Sequence, residues 1–219
     1  MAILLTREQV EEIQRDPRAV NWKGEKLKVD GDYGPQTQWW HGISVLHPQR
    51  VDIVCEMVSY HGKGEDSGTP NRAKWLDKIQ EPANLTPRYG NPWCVLLQSA
   101  ILTKCKVKNW PYFASAYELI RWARQHGLVT ENPIPGDIYA FLYNPDAIGF
   151  TPGHCGGYLG GSPDWAIGLE GNVGNTTKTG KRARKGLIFI KTVEENTPPL
   201  IMPPLAGLPN LDGTLRGTR

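Results

Sequence analysis

The chain has 219 residues, of which 39% are hydrophobic and 21% are charged, and its formal net charge is +3 with a pI of about 8.6. This length suits one full domain with a smaller appendage, and the mildly basic charge does not by itself argue for nucleic-acid binding. No apolar run approaches the roughly 20 residues that cross a bilayer, and the first residues lack the basic start of a secretory signal. We therefore expect synthesis in the cytoplasm and no contact with a membrane. If the protein acts outside the cell, it must leave by a route that needs no secretory signal, such as lysis, a virion or an injection machine.

The amino-terminal region predicts two short helices. Thr6 and Gln9 form a capping box at the start of the first helix, and Asp16 precedes the proline that ends it. The glycines and aspartates of residues 29–34 predict a tight turn, after which Pro35 opens the second helix. A simple connection between two helices is enough to explain this turn.

The same turn reads "VDGDYGPQT" and resembles the signature of the small helical peptidoglycan-binding module. The resemblance covers about residues 5–46, and it implies that residues 1–47 form a small helical segment that contacts the wall polymer. Asp30 and Asp32 could suggest calcium, but the spacing of an EF-hand is absent, and we expect no metal there.

Along the rest of the chain, helices are predicted first and strands afterwards. Helical spacing of apolar residues predicts helices at residues 48–61, 71–79, 93–104 and 113–126. Short runs bounded by Gly, Pro, Asn or Asp predict strands at residues 137–142, 154–159, 165–170 and 186–193. This order predicts an α+β domain over residues 48–196, with helices packed on an antiparallel sheet. Residues 197–219 are rich in Pro, Gly and Leu and predict an extended or disordered tail.

The four cysteines show no CxxC pair and no regular spacing, so neither a disulfide framework nor a zinc site is expected. Cys55 and Cys105 lie on apolar helical stripes and are predicted to be core thiols. Cys94 lies in the first turn of a predicted helix, where unpaired N–H groups and the helix dipole stabilise a thiolate. This position alone leaves two interpretations open, a buried core cysteine and a nucleophile.

A nucleophilic thiolate needs a base that also returns a proton to the leaving group, and histidine is the usual choice. Among the five histidines, only His154 opens a predicted strand, and glycines surround it. The period of two along a strand sends Cys155 to the opposite face. Glu170 and Asn172 are two residues apart, and we expect them to share a strand face where either accepts a hydrogen bond from the imidazole.

The strings "NPWC", "IPGDI", "GHCGGYLG" and "LEGN" occur in this order between residues 91 and 172. They resemble the cysteine/histidine amidohydrolase-peptidase (CHAP) domain of the NlpC/P60, papain-like superfamily of peptidoglycan hydrolases. The resemblance implies a papain-like fold in which Cys94 is the nucleophile, its backbone N–H helps to hold the oxyanion, and His154 is the general base and acid. It also implies that Glu170 and Asn172 take the third and fourth positions, and we favour Glu170 as the residue that orients the histidine.

Two positions depart from the common family pattern. Trp93 stands where many members have glutamine, and Cys155 stands where valine or alanine is commoner. Tyr89, Trp93 and Tyr158 are aromatic residues that either line a substrate groove or belong to the core. Residues 178–185 carry five charges and form either a solvated hairpin loop or a patch attracted to an acidic wall polymer.

These observations predict a monomeric peptidoglycan hydrolase that cleaves an amide through a Cys-His-Glu thioester mechanism without a cofactor or nucleic-acid partner. We expect a phage endolysin-like lysin, released through a holin-type pore or delivered by a virion. An injected antibacterial amidase is an alternative with the same chemistry. The remaining interpretations are a non-catalytic wall-binding or virion structural protein on the same scaffold, and a transglutaminase or acyltransferase that uses the same residues.

Overall fold

The computed structural model of the chain describes residues 5–66, 68–85, 88–146 and 149–194. Within these ranges the helices are α1 (Arg7–Arg15), α2 (Pro35–Ser44), α3 (Pro48–Ser59), α4 (Lys74–Gln80), α5 (Cys94–Lys104) and α6 (Ala116–Gln125), with a 3₁₀ helix at Glu81–Ala83. The strands are β1 (Val129–Thr130), β2 (Ile138–Leu142), β3 (Gly153–Gly161), β4 (Trp165–Glu170), β5 (Lys178–Ala183) and β6 (Ile188–Ile190). No helix in these ranges is long and apolar enough to cross a bilayer. The tail predicted at residues 197–219 lies outside the described residues.

All strand pairs of the sheet are antiparallel, in the order β1-β6-β2-β3-β4-β5. The predicted α+β class with an antiparallel sheet is confirmed, and so are the four predicted strands, although their ends differ. The sequence pattern does not predict β1 or β5. The hairpin-loop interpretation of residues 178–185 is wrong for Lys178–Ala183, which pairs with β4 along its whole length. Charged residues are typical of edge strands, because they discourage pairing with another chain.

One face of the sheet packs against the helices, and α5 is the helix that lies closest to β3. Residues of α5 are buried on nearly all sides of the helix. Gly157 in β3 makes the close approach possible, since a Cβ at this position would lie 2.4 Å from the Met57 sulfur and 2.9 Å from Gln98 Oε1. The start of α5 is thereby held near the start of β3.

The amino-terminal helices share the core of the sheet. The capping box of α1 forms as predicted. The side-chain amide of Gln14 fixes the turn before α2, because it donates to Asp30 Oδ1 at 3.0 Å while its oxygen accepts the Asp30 N–H at 3.1 Å. Trp39 of α2 is buried, and its indole N–H donates to the carbonyl of Leu159 in β3 at 3.1 Å.

Candidate active site

Cys94 is the first residue of α5, as the sequence predicts. The preceding Trp93 provides no side-chain cap, so the N–H groups of the first helical turn are available to a negative charge. Hydrogen bonds hold the chain that leads into the helix. The Trp93 indole donates to Glu65 Oε1 at 2.8 Å, and the Asn91 N–H donates to Gln80 Oε1 at 3.1 Å. Cys94 itself is only 7% exposed.

His154 lies near the start of β3 and is 3% exposed. Its Nε2 is 2.9 Å from Oε2 of Glu170, the last residue of the adjacent strand β4. Gly156 lies opposite Glu170 in the sheet, and a Cβ at residue 156 would be 2.8 Å from the Glu170 Cγ. The glycines around the histidine therefore leave room for a close neighbour, as the sequence predicts.

The charges of Cys94 and His154 depend on each other. Hydrogen bonds with Cys155 and with His154 hold the pKa of the Cys94 thiol well below its usual range, against the effect of burial. Burial alone would lower the pKa of His154, but hydrogen bonds with Cys94 and Glu170 outweigh it and raise that pKa to about 9. Because Glu170 engages Nε2, the ring nitrogen left for Cys94 is Nδ1. Both shifts favour the pair of a thiolate and an imidazolium over the pair of a neutral thiol and a neutral imidazole.

Glu170 is fully buried and ionised. Burial would raise its pKa, but hydrogen bonds from His154 and Arg182 lower it to about 2. Arg182 of β5 donates to both carboxylate oxygens, and Tyr139 of β2 donates to Oε1. No local sequence pattern identifies either residue, because each reaches Glu170 from a different strand. Recognition of residues 178–183 as a strand would have pointed to Arg182, since every second side chain of a strand points to the same face.

Asn172 is not brought to the histidine. Strand β4 ends at Glu170, and Asn172 has a left-handed backbone conformation with a φ of +61°. Its side-chain amide donates to Asn71 Oδ1 at 3.3 Å. The expectation that Glu170 and Asn172 share a strand face is therefore wrong, because the chain turns directly after Glu170.

Two of the three aromatic candidates for a substrate groove belong to the core. Trp93 is completely buried, and Tyr158 is 5% exposed and packs edge-on against Phe189 with a centroid distance of 5.5 Å. Tyr89 is half-buried, its hydroxyl donates to Glu81 Oε1 at 3.1 Å, and it keeps part of its surface open to solvent. Tyr89 is therefore the aromatic candidate with surface left for a ligand.

The other three cysteines differ from Cys94 in their protonation. Cys155 shares its strand face with Gly157, toward the helices and opposite His154 as predicted, and it is completely buried. Burial and the hydrogen bond with Cys94 raise the pKa of Cys155 well above its usual range. Cys55 and Cys105 pack half-buried against the core, and burial raises their pKa values to about 11 and about 12. Cys94 is thus the thiol that favours the thiolate.

In comparisons with known proteins, no family model, curated protein or solved structure matches this chain. Among the described residues, no three His, Cys, Asp or Glu side chains lie together as a metal-binding group. The arrangement instead combines a thiolate at a helix start, an imidazolium and a buried carboxylate. These are the parts of a nucleophile, a general acid and an orienting group for acyl transfer.

Proposed function

We propose that this protein is a cysteine hydrolase that cleaves an amide bond of bacterial peptidoglycan. The observation that carries the proposal is the hydrogen-bonded series from Cys94 to His154 and from His154 to Glu170, in which the thiol pKa is lowered and the imidazole pKa is raised. A cysteine at the start of a buried helix, packed on an antiparallel sheet that carries the histidine, is also the arrangement of a papain-like scaffold. We propose that scaffold for the described residues after position 48.

The reaction follows from these positions. The Cys94 thiolate attacks the amide carbonyl carbon, and the backbone N–H groups of the first turn of α5 hold the oxyanion. His154 gives its Nδ1 proton to the nitrogen of the leaving amine as the C–N bond breaks, which leaves a thioester on Cys94. The neutral imidazole then removes a proton from water, and the resulting hydroxide displaces Cys94 and releases the carboxylic acid. Glu170 stays ionised throughout and stabilises the imidazolium.

The protein covers most of the surface of the reacting pair, since Cys94 is 7% exposed and His154 is 3% exposed. Partial exclusion of water strengthens the attraction between a thiolate and an imidazolium.

Peptidoglycan is the proposed substrate on three grounds. The motif strings around Cys94, His154 and Glu170 resemble those of CHAP hydrolases, and residues 5–46 resemble a peptidoglycan-binding module. The basic residues of β5 and the net charge of +3 suit contact with an acidic wall. On this proposal the protein acts as a monomer on the wall, after release by lysis, in a virion or by injection.

The test uses purified bacterial cell walls and three proteins: wild type, Cys94→Ala and the control Cys105→Ala. We expect wild type and Cys105→Ala to lower the turbidity of the walls and to release new amino groups, and Cys94→Ala to do neither. Mass spectrometry of the released fragments identifies the bond, either between sugar and peptide or within the peptide. Equal clearing by all three proteins would exclude the thioester mechanism. Cross-linked products without new amino groups would instead indicate acyl transfer to an amine.

A further inference from the structure

The carboxylate of Glu170 receives four hydrogen bonds from three strands. Oε1 accepts from the Tyr139 hydroxyl and from Arg182 Nε. Oε2 accepts from His154 Nε2 at 2.9 Å and from Arg182 Nη2 at 2.5 Å. An ionised carboxylate offers about four acceptor positions, so every position is occupied and the group has no freedom to rotate.

We propose that Arg182 and Tyr139 are positioning residues that hold the Glu170 carboxylate ionised and aligned with His154. The inference deepens the proposed function and rests on it for the effect on turnover, whereas the charge of Glu170 is measured without any substrate. Arg182 and Tyr139 act through Glu170, to which they donate hydrogen bonds.

Arg182 is held rigidly enough for this role. It lies on the edge strand β5, where its two-pronged contact with Glu170 is the planar geometry that suits arginine better than lysine. Its guanidinium also lies 4.9 Å from the ring centroid of Phe141. The Phe141 ring in turn lies 5.8 Å from the His154 ring, so one aromatic side chain contacts both cations that flank the carboxylate.

Two glycines allow Tyr139 to reach Glu170 across the sheet. Gly156 lies between them in register, and a Cβ at residue 156 would be 2.5 Å from the Tyr139 hydroxyl oxygen. A Cβ at Gly168 would be 2.4 Å from Cε1 of the same ring. The tyrosine therefore occupies space that side chains on the neighbouring strands would otherwise fill.

The ionisable groups around Glu170 come from the strands next to it in the sheet. They are Tyr139 on β2, His154 and Cys155 on β3, and Arg182 and Lys178 on β5, and His154 in turn bonds to Cys94 at the start of α5. Arg182 is the permanent cation that bonds to both oxygens. Removal of Arg182 leaves the buried Glu170 carboxylate with His154, whose charge depends on pH. The pKa of the Glu170 carboxyl should therefore rise.

The experiment follows the carboxyl ¹³C resonance of Glu170 in labelled full-length protein, assigned by its absence from Glu170→Gln. In wild type we expect the carboxyl to stay ionised at pH 3.5. In Arg182→Met its midpoint should rise by about one pH unit or more, and in Tyr139→Phe it should rise by less. Arg182→Lys should restore most of the midpoint. Lys181→Met, which removes a charge from the other face of β5, should match wild type.

Turnover on cell walls is the second readout. Arg182→Met should lower kcat about tenfold or more with KM unchanged, and Arg182→Lys should recover part of the loss. An unchanged Glu170 midpoint in folded Arg182→Met would overturn the inference. If Arg182→Met does not fold, unchanged midpoints in both Tyr139→Phe and a second neutral variant, Arg182→Gln, would overturn it. Shifted midpoints in a protein that never clears walls would support the inference and reject the proposed function.

Discussion

Asp137 and Glu170 are both buried carboxylates paired with an arginine, and their protonation is pushed in opposite directions. Asp137 lies 2.8 Å from Nη1 of Arg50, and both side chains are almost completely buried. Burial raises the pKa of Asp137, and Arg50 offsets only part of this effect. Burial acts on Glu170 in the same way, but His154 and Arg182 together outweigh it and lower the pKa to about 2.

The pair formed by Asp137 and Arg50 connects separate parts of the backbone. Arg50 of α3 donates to the carbonyl groups of Pro135 at 3.3 Å and Val193 at 3.2 Å, and Asp137 accepts the N–H of Thr192 at 3.1 Å. None of these backbone groups titrates. The pair of Asp137 and Arg50 thus connects backbone segments, whereas the pair of Glu170 and Arg182 shares its carboxylate with a titratable histidine.

Replacement of Glu170 should give the largest effect on activity. In Glu170→Gln the neutral amide no longer stabilises the imidazolium of His154, and kcat/KM on cell walls should fall by about 10³- to 10⁴-fold. Asp137→Asn is the matched control and should keep the kcat/KM of each folded molecule. Initial clearing rates, normalised to the folded fraction by circular dichroism, check this. Similar losses in both variants would contradict the separation of the two roles.

Breaking the buried pair on its arginine side should give the largest effect on stability. Arg50→Met leaves the Asp137 carboxylate buried without its cation, on top of the burial cost that already raises its pKa, and the free energy of unfolding should fall by about 3–5 kcal/mol. Glu170→Gln should lose less, because the charge it leaves behind is on Arg182, whose side chain is 14% exposed and can reach water, against 1% for Asp137. Urea unfolding of the two variants measures the difference. A larger loss in Glu170→Gln would reverse the assignment.

Acid should change stability in opposite directions through Glu170 and through Asp137. The pKa of Glu170 is about 2 in the folded chain, below the ordinary 4.5, so its stabilising contribution is present above pH 4.5 and is lost as the pH falls toward 2. The pKa of Asp137 is above its ordinary 3.8, so its charge costs stability near neutral pH and acidification relieves that cost. Melting temperatures between pH 2 and 7 should therefore fall less steeply with acid in Glu170→Gln than in wild type, and more steeply in Asp137→Asn. Parallel curves for all three proteins would contradict both signs.

Local patterns in the sequence predict the three central residues of the candidate site. Cys94 lies at a helix start, His154 at a strand start beside glycines, and Glu170 at a polar strand end. Each of these features is encoded within about ten residues, and the helices and four of the strands are predicted for the same reason.

The residues that depend on strand pairing are not predicted. Arg182 and Tyr139 reach Glu170 only because β5 and β2 take particular positions in the sheet, and no short pattern contains that register. Asn172 is misplaced for the opposite reason, because a period of two was extended past the residue at which the strand turns. Burial of Trp93 and Tyr158 likewise depends on which elements pack over them.

The smallest effect is expected at the capping box of α1, which touches neither ion pair. Thr6→Ala removes the side-chain acceptor of the Gln9 N–H and should cost about 1 kcal/mol. Because Trp39 of the next helix is buried in the same core as α5, this loss should appear in one unfolding transition of the whole chain, with kcat/KM unchanged. A separate transition at lower urea, with the environments of Asp137 and Glu170 preserved, would instead show that the amino-terminal segment unfolds independently. The ion pairs of Asp137 and Glu170 would then belong to a part of the fold that stays intact when the amino-terminal segment is unfolded.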